Sequence, residues 1–334
     1  MCSRVGTGKA SKRTGSSALT KIVVAAIDFG TTYSGYAYSF KHEFEKDKVS
    51  IYANTTWNPG VALVTDKTPT TILFKPNEDI DSFGYDAENK YAELADEDDH
   101  IGWHYFSRFK MKLHGQTKIR REMKLKDDQG HQMSAMKVFS EAIKYLKNHL
   151  LKSLLEKIPG IKDTDIHWVI TVPAIWDDGA KQFMREAGNE AGIPDKQLDL
   201  ALEPEAAAIY CQAISVKKDG SSFDPGTQFI LVDLGGGTAD ITIHEVEESG
   251  NLTELNPPSG GPWGGTKVDA AFNNMLENIY GESTISSFSQ KSKIDDLDLK
   301  REFELKKGNL PVEARLFLKF RENSLKPWKN VVGH

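Results

Sequence analysis

The chain has 334 residues, 39% of them hydrophobic and 27% charged, with a formal net charge of -6 at pH 7. That length suits one large bilobal domain or two ordinary ones, and the acidic balance argues against nucleic acid as the main partner, since phosphate neutralisation takes a concentrated basic surface. No stretch approaches the roughly 18 apolar residues of a membrane span, and the two cysteines, Cys2 and Cys211, exclude a disulfide framework or a cysteine zinc site, so a cytoplasmic setting is expected.

Residues 1–21, "MCSRVGTGKASKRTGSSALTK", carry five basic side chains, no acid and no apolar h-region. They read as a disordered basic tail rather than a secretory signal. Its "GTGK" lacks P-loop spacing and follows no strand. From Ile22 to about Phe40, "IVVAAIDFGTTYSGYAYSF" predicts a strand, a tight turn and a second strand, with further strand signals at "SIYAN" and "TTILF". The aromatic and basic run from Asp98 to Gly115 fits a short helix. Met136, Phe139, Ile143, Leu146, Leu150 and Leu154 fall at helical spacing and predict a long amphipathic helix over 134–157, stopped by Pro159-Gly160.

"DIHWVITVPAIW" predicts a buried strand closed by Pro173, and "DDGAKQFMREAGNEAGI" a helix ending at Gly192. "LDLALEPEAAAIYCQAI" reads as a strand running into a helix, with Pro204 suited to the first turn. The polar 216–228 segment is the best boundary, dividing a first lobe (22–215) from a second (229–334). Beyond it come "FILVDLGGGTADITIHEV", a Gly-rich link "NPPSGGPWGGT", a helix near Lys267–Tyr280 and a charged helix near Lys293–Lys307 whose charges read as a solvated face. Strands interleaved with helices define an α/β class.

"VAAIDFGTTYSGYAY" and "ILVDLGGGTADITIH" share one pattern: apolar run, Asp, apolar residue, Gly, small residues with Thr, then a second strand. They lie too far apart for a solenoid repeat and suit two similarly folded lobes. A strand–turn–strand with glycines at the bend turns several backbone N–H groups onto one concave side, which binds anions and phosphate above all. An aspartate at the strand end would repel phosphate directly, but it makes sense if Mg²⁺ sits between them, usually through waters. Two such turns could hold a polyphosphate from both sides.

"IDFGTTYSGYAY", "WVITVPAIW", "ALEPEAAAIY", "VDLGGGTADITIH" and "GGPWGGTKVD" resemble the ATPase domain of the 70-kDa heat-shock protein family. "FGYDAENKY" and "FSRFKMKLHG" resemble its divergent heat shock 70 kDa protein 12-like branch. The resemblance implies an actin/hexokinase-like (ribonuclease-H-like) bilobal ATPase fold, Mg²⁺ with ATP or ADP as cofactors, slow ATP hydrolysis at most, a chaperone role in stress response, and protein clients or co-chaperones as partners. It also implies roles. Gly30, Thr31, Thr32 and Tyr33 would form the first phosphate turn, with Asp28 facing a hydrated metal. Gly235, Gly236, Gly237 and Thr238 would form the second, with Asp233 on the metal-water side and Asp240 on that of the attacking water. Glu203 would help hold those waters. Lys110 matches the lysine that contacts the terminal phosphate, with Lys112 as its rival, and Gly264 and Gly265 match glycines before a second-lobe helix.

The sequence departs from the family in two respects. Glu205 stands where typical members carry a threonine after "EP". No glycine-rich adenosine-binding strand–turn and no peptide-binding domain follow "GGPWGGT" before the chain stops at "SLKPWKNVVGH", so a truncated member with an incomplete second lobe is expected. Two other functions stay open: a catalytically silent interaction scaffold, and a small-molecule kinase of the same superfamily. His100 and His104 have i,i+4 spacing with no third metal ligand evident, which fits a surface or aromatic-packing role.

Overall fold

The computed structural model describes residues 21–54, 57, 65–114, 121–218 and 223–307. The N-terminal tail up to Thr20, residues 219–222 of the boundary segment and the C-terminal 308–334 lie outside the described residues.

The first apolar run forms β1 (Val23–Phe29), which turns through Gly30–Thr32 into antiparallel β2 (Tyr33–Phe40). A short α1 (Lys41–Phe44) follows, and β3 (Tyr52–Ala53) and β4 (Thr68–Pro69) both pair with β2. β5 (Thr71–Phe74), β6 (Ile80–Phe83) and β7 (His104–Ser107) make a separate sheet in the order β6-β5-β7, with α2 (Tyr85–Asp96) between β6 and β7. A 3-10 stretch, Phe109–Leu113, comes next, and the hairpin of β8 (Lys124–Lys126) and β9 (Gln132–Ser134) leads into α3 (Ala135–Lys157). β10 (Ile166–Val172), α4 (Asp178–Glu190) and β11 (Leu198–Leu202) complete the main sheet, in which β10 runs parallel to both β1 and β11.

Alternation decides which face of β1 is inside: Val23, Ala25, Ile27 and Phe29 are fully buried, as a period of two demands of a half-buried strand. The apolar stripe of α3 covers them. Phe139 packs on Phe29 at 5.7 Å and on Phe109 at 5.0 Å, so the 3-10 stretch is fastened to the strand that carries the first turn.

α5 (Glu203–Lys218) leads to a three-stranded antiparallel sheet of β12 (Gln228–Leu234), β13 (Ala239–Val246) and β14 (Leu252–Gly261). Then come α6 (Thr266–Tyr280), α7 (Glu282–Lys291) and α8 (Lys293–Lys307), which share a small core of Phe272, Leu276, Phe288, Leu299 and Phe303. Among the described residues no helix is long and apolar enough to cross a membrane.

Four local expectations need correction. The "NPPSGG" link is the second half of β14; its prolines fall on the outer strand of the sheet, where the register with β13 shifts, so the missing N–H groups cost no ladder bond. Within 98–114 the expected short helix is the 3-10 stretch Phe109–Leu113, but the residues before it form β7, because Thr71–Phe74 offers β7 an edge to pair with. α7, unforeseen, buries only Phe288 along its length, too little to give a periodic signal. α8 is not a merely solvated face: Arg301 reaches across to Glu88 at 2.8 Å and Asn89 at 2.7 Å on α2, and Leu299 and Phe303 are buried.

Candidate functional site

The two turns lie against each other. A Cβ on Gly236 would collide with the Thr32 hydroxyl, and one on Gly237 with Met111 and the Thr31 hydroxyl, so only glycine permits this approach. The first turn is fixed from outside by Thr70, whose N–H donates to the Thr32 carbonyl at 2.8 Å and whose hydroxyl donates to the Gly30 carbonyl at 2.8 Å. In the second turn the Gly235 N–H donates to the Thr238 carbonyl at 2.9 Å. Gly264 and Gly265 buttress it from the start of α6: the Gly265 and Thr266 N–H groups donate to Gly235 and Gly236 carbonyls at 3.0 and 2.8 Å. A side chain on Gly264 would strike the backbone of Gly235, Gly236 and Gly237.

Around this junction stand four carboxylates and two lysines. Lys110, on the 3-10 stretch, is buried and donates to Glu203 Oε1 at 2.6 Å, with its ammonium 5.3 Å from the Trp176 ring. Its rival Lys112 is exposed. Burial lifts the Glu203 carboxyl above its ordinary range, and the Lys110 ammonium offsets only part of that. Asp28 accepts from the Lys67 ammonium on one oxygen and from the Thr171 hydroxyl, at 2.8 Å, on the other. Burial alone would raise Asp28, but Lys67, aided by Lys110, more than compensates and holds the carboxyl below its ordinary value. Asp233 forms no ion pair among the described residues; burial first, then the neighbouring Asp240 and Asp28, push its carboxyl up. Asp240 is buried and accepts from the Ile175 N–H at 3.4 Å.

The structure thus gathers Asp28, Lys110, Glu203, Asp233, Asp240 and both turns in one place. Thr238 and Asp240 are buried, and Tyr33 lines a cleft of about 320 Å³. Thr32, Tyr85, Glu88 and Phe272 line it too, with Arg108 and Asp269, which are ion-paired at 2.9 Å. Sequence reasoning missed Lys67, Thr70 and Thr171. Thr171 had a signal, since β1 and β10 run parallel and its strand ends beside Asp28. Lys67 had none, because it arrives from a loop over Gly35, whose lack of a side chain leaves it room.

The donor set suits a phosphate chain and a hydrated divalent cation. The Thr32 hydroxyl is buried without a hydrogen-bond partner among the described residues, an orphan that costs free energy unless a ligand satisfies it. The close-packed glycines form a cradle that any Cβ would fill. Two lysines bring positive charge, and Asp233, though Lys67 and Lys110 act on it from a distance, has no ion-pair partner among the described residues.

Two strand–turn–strand units whose turns abut, ringed by carboxylates, fit an α/β actin/hexokinase-like fold, the fold of the family that the chain matches. A family model described as Hsp70 protein matches residues 24–315, and the chain belongs to that family. It is 36% identical over 342 residues to heat shock 70 kDa protein 12B of Homo sapiens, an alignment covering 85% of this chain and 49% of that protein. It is likewise 36% identical over 344 residues to heat shock 70 kDa protein 12A of Mus musculus, covering 86% of this chain and 50% of that protein. The chain therefore spans about half the length of these curated relatives. Among solved structures, a 15-stranded ParM filament from Clostridium botulinum aligns at a TM-score of 0.42 and 15% identity over 77% of this chain and 69% of that one.

Proposed function

We propose that this Hsp70-family nucleotide-binding domain holds Mg·ATP with its phosphates between the two Asp-Gly turns, hydrolyses it slowly at most, and works within a chaperone protein. The observation that carries this reading is the buried, unpartnered Thr32 hydroxyl at the junction of two turns that only glycine allows to meet. Phosphoryl transfer to water needs charge neutralisation and an oriented nucleophile more than covalent help. Lys110 and Lys67 supply fixed positive charge, and the turn N–H groups and the Thr31 and Thr32 hydroxyls are the donors for phosphate oxygens. Glu203, raised by burial, is suited to accept a proton from water, and Asp240 to orient it. Asp233, with Asp28 beside it, is where a hydrated Mg²⁺ would be held; when bound, the ion draws negative charge from the phosphates. The 320 Å³ cleft adjoining Thr32 falls within the size range of small-molecule sites and is the space suited to the nucleoside.

Isothermal titration of the full chain with Mg·ATP tests this. Saturable heat that weakens at least tenfold in Thr32→Val supports it; no heat at hundreds of micromolar nucleotide defeats it. A second reading, an interaction scaffold without productive nucleotide binding, draws on the Lys67–Asp28 pair, which neutralises one site carboxylate with no metal. Partner capture unaffected by Thr32→Val, together with silent titrations, would favour it.

A further inference from the structure

The strand β7 and the β8–β9 hairpin bring together three side chains able to ligate a metal. We propose that His104, Asp127 and His131 form a site for a divalent transition ion of the zinc class, with a fourth position open to water. The Asp127 side chain is fully buried, and its Oδ2 lies 2.8 Å from His104 Nδ1 and 3.2 Å from His131 Nδ1. The three ligand atoms all lie within 4.8 Å of one another. The two rings approach from different directions, 84° apart in plane with centroids at 5.6 Å, as ligands to a common centre would.

Distances fit the ion. Tetrahedral zinc with bonds of about 2.0–2.1 Å keeps its ligand atoms about 3.3 Å apart, so the two carboxylate–imidazole distances need lengthen by only tenths of an ångström. Without an ion, both Nδ1 atoms converge on one carboxylate oxygen, and each ring must take the tautomer that donates to it. One cation in place of the two protons satisfies all three groups. Two imidazoles and one carboxylate are a donor set that late first-row ions prefer and that Mg²⁺, which favours all-oxygen coordination, does not.

The site is built rather than accidental. Asp127 Oδ1 accepts from the Gln129 and His131 N–H groups at 3.0 and 2.7 Å, which orients the second oxygen toward the rings. The hairpin tip is tied to the preceding loop by Gln129, which donates to the His100 and Trp103 carbonyls, and by the Asp128 N–H, which donates to the Tyr105 carbonyl. His131 is half-exposed and gives an entry path; His104 is mostly covered. His100 is not part of the cluster and instead packs edge-on against Tyr91. His104 thus meets its fellow ligands across space, more than twenty residues on, and not at the 100–104 spacing.

The chelator-stripped full chain, titrated with Zn²⁺ in excess Mg²⁺, tests the proposal. It should take up one equivalent that His131→Ala and Asp127→Asn each weaken at least tenfold, with circular dichroism unchanged. The half-exposed ring makes the first variant tolerable to the fold, and the asparagine keeps the oxygen that caps the hairpin. Co²⁺ should give the visible bands of a low-coordinate site in the wild type and lose them in both variants. No uptake by the wild type, or uptake equal in all three proteins, would overturn it.

Discussion

β1 and β12 carry the same motif into different surroundings. In β1 the residue before the aspartate, Ile27, is fully buried, whereas its counterpart Val232 in β12 is 53% exposed. Opposite Asp28 across the hairpin stands Gly35, and Lys67 fills the space it leaves; opposite Asp233 stands Asp240. So the first turn is anchored by a hydrophobic core and a neutralised carboxylate. The second is held among the described residues by backbone bonds to the start of α6, and its Asp233 has no ion-pair partner among those residues. An ion-paired carboxylate in the first turn thus faces an unpaired one in the second, where the proposed cation would sit.

The strongest way to break that contrast is to truncate the two counterparts. Ile27→Ala should cost about 2–5 kcal/mol through lost burial and a residual cavity, and Val232→Ala within about 0.5 kcal/mol, both read as urea midpoints. Equal losses would show that the second sheet is as tightly covered as the first. Next in size is Lys110→Ala, which strands Glu203 in a buried position. Because Glu203 can take up a proton in response, we expect a loss of about 2–3 kcal/mol at neutral pH, below the usual 3–5 for a broken buried pair, and shrinking as pH falls. A pH-independent loss would remove Glu203 from the explanation.

Asp233→Asn should act in the opposite direction. It relieves a carboxylate that burial and two like charges disfavour, so the melting temperature should rise at pH 7 while Mg·ATP affinity falls. A lower melting temperature would mean that Asp233 is neutralised in the folded protein. The smallest effect is on the pH profile. Asp233 and Glu203, raised above their ordinary 3.8 and 4.5, bind more protons folded than unfolded. Stability therefore declines as pH rises through the window just above those values. Asp28, held below 3.8, does the reverse: its contribution is present above that pH and is lost as pH falls through its lowered value. Urea midpoints against pH should show both limbs, and Asp233→Asn should flatten the upper one.

How far the sequence predicted this depends on distance along the chain. The alternation of Val23, Ala25, Ile27 and Phe29 and the helical stripe of α3 are local patterns, and both elements appear where that patterning puts them. The two glycine turns were legible because glycine is demanded by the backbone itself. What failed needed tertiary partners. β14 becomes a strand because β13 offers it an edge, and α8 gains its role from Glu88 on α2. The sequence preferred Lys110 over Lys112 without a geometric reason; it is Lys110 that faces Glu203, about a third of a turn round the 3-10 stretch from Lys112. Lys67 enters from a loop with no motif of its own, and the His104 cluster joins segments that share no periodicity.

The central claim is that both turns close on one ligand. Hydrogen exchange of the full chain, with and without Mg·ATP, tests it most directly, because the backbone N–H groups of residues 30–33 and 236–238 are the proposed phosphate donors. The account predicts that both segments slow together on nucleotide addition and that Gly264→Ala, which displaces the second turn, abolishes slowing in both. Protection of one turn alone, or of neither at saturating nucleotide, would contradict it.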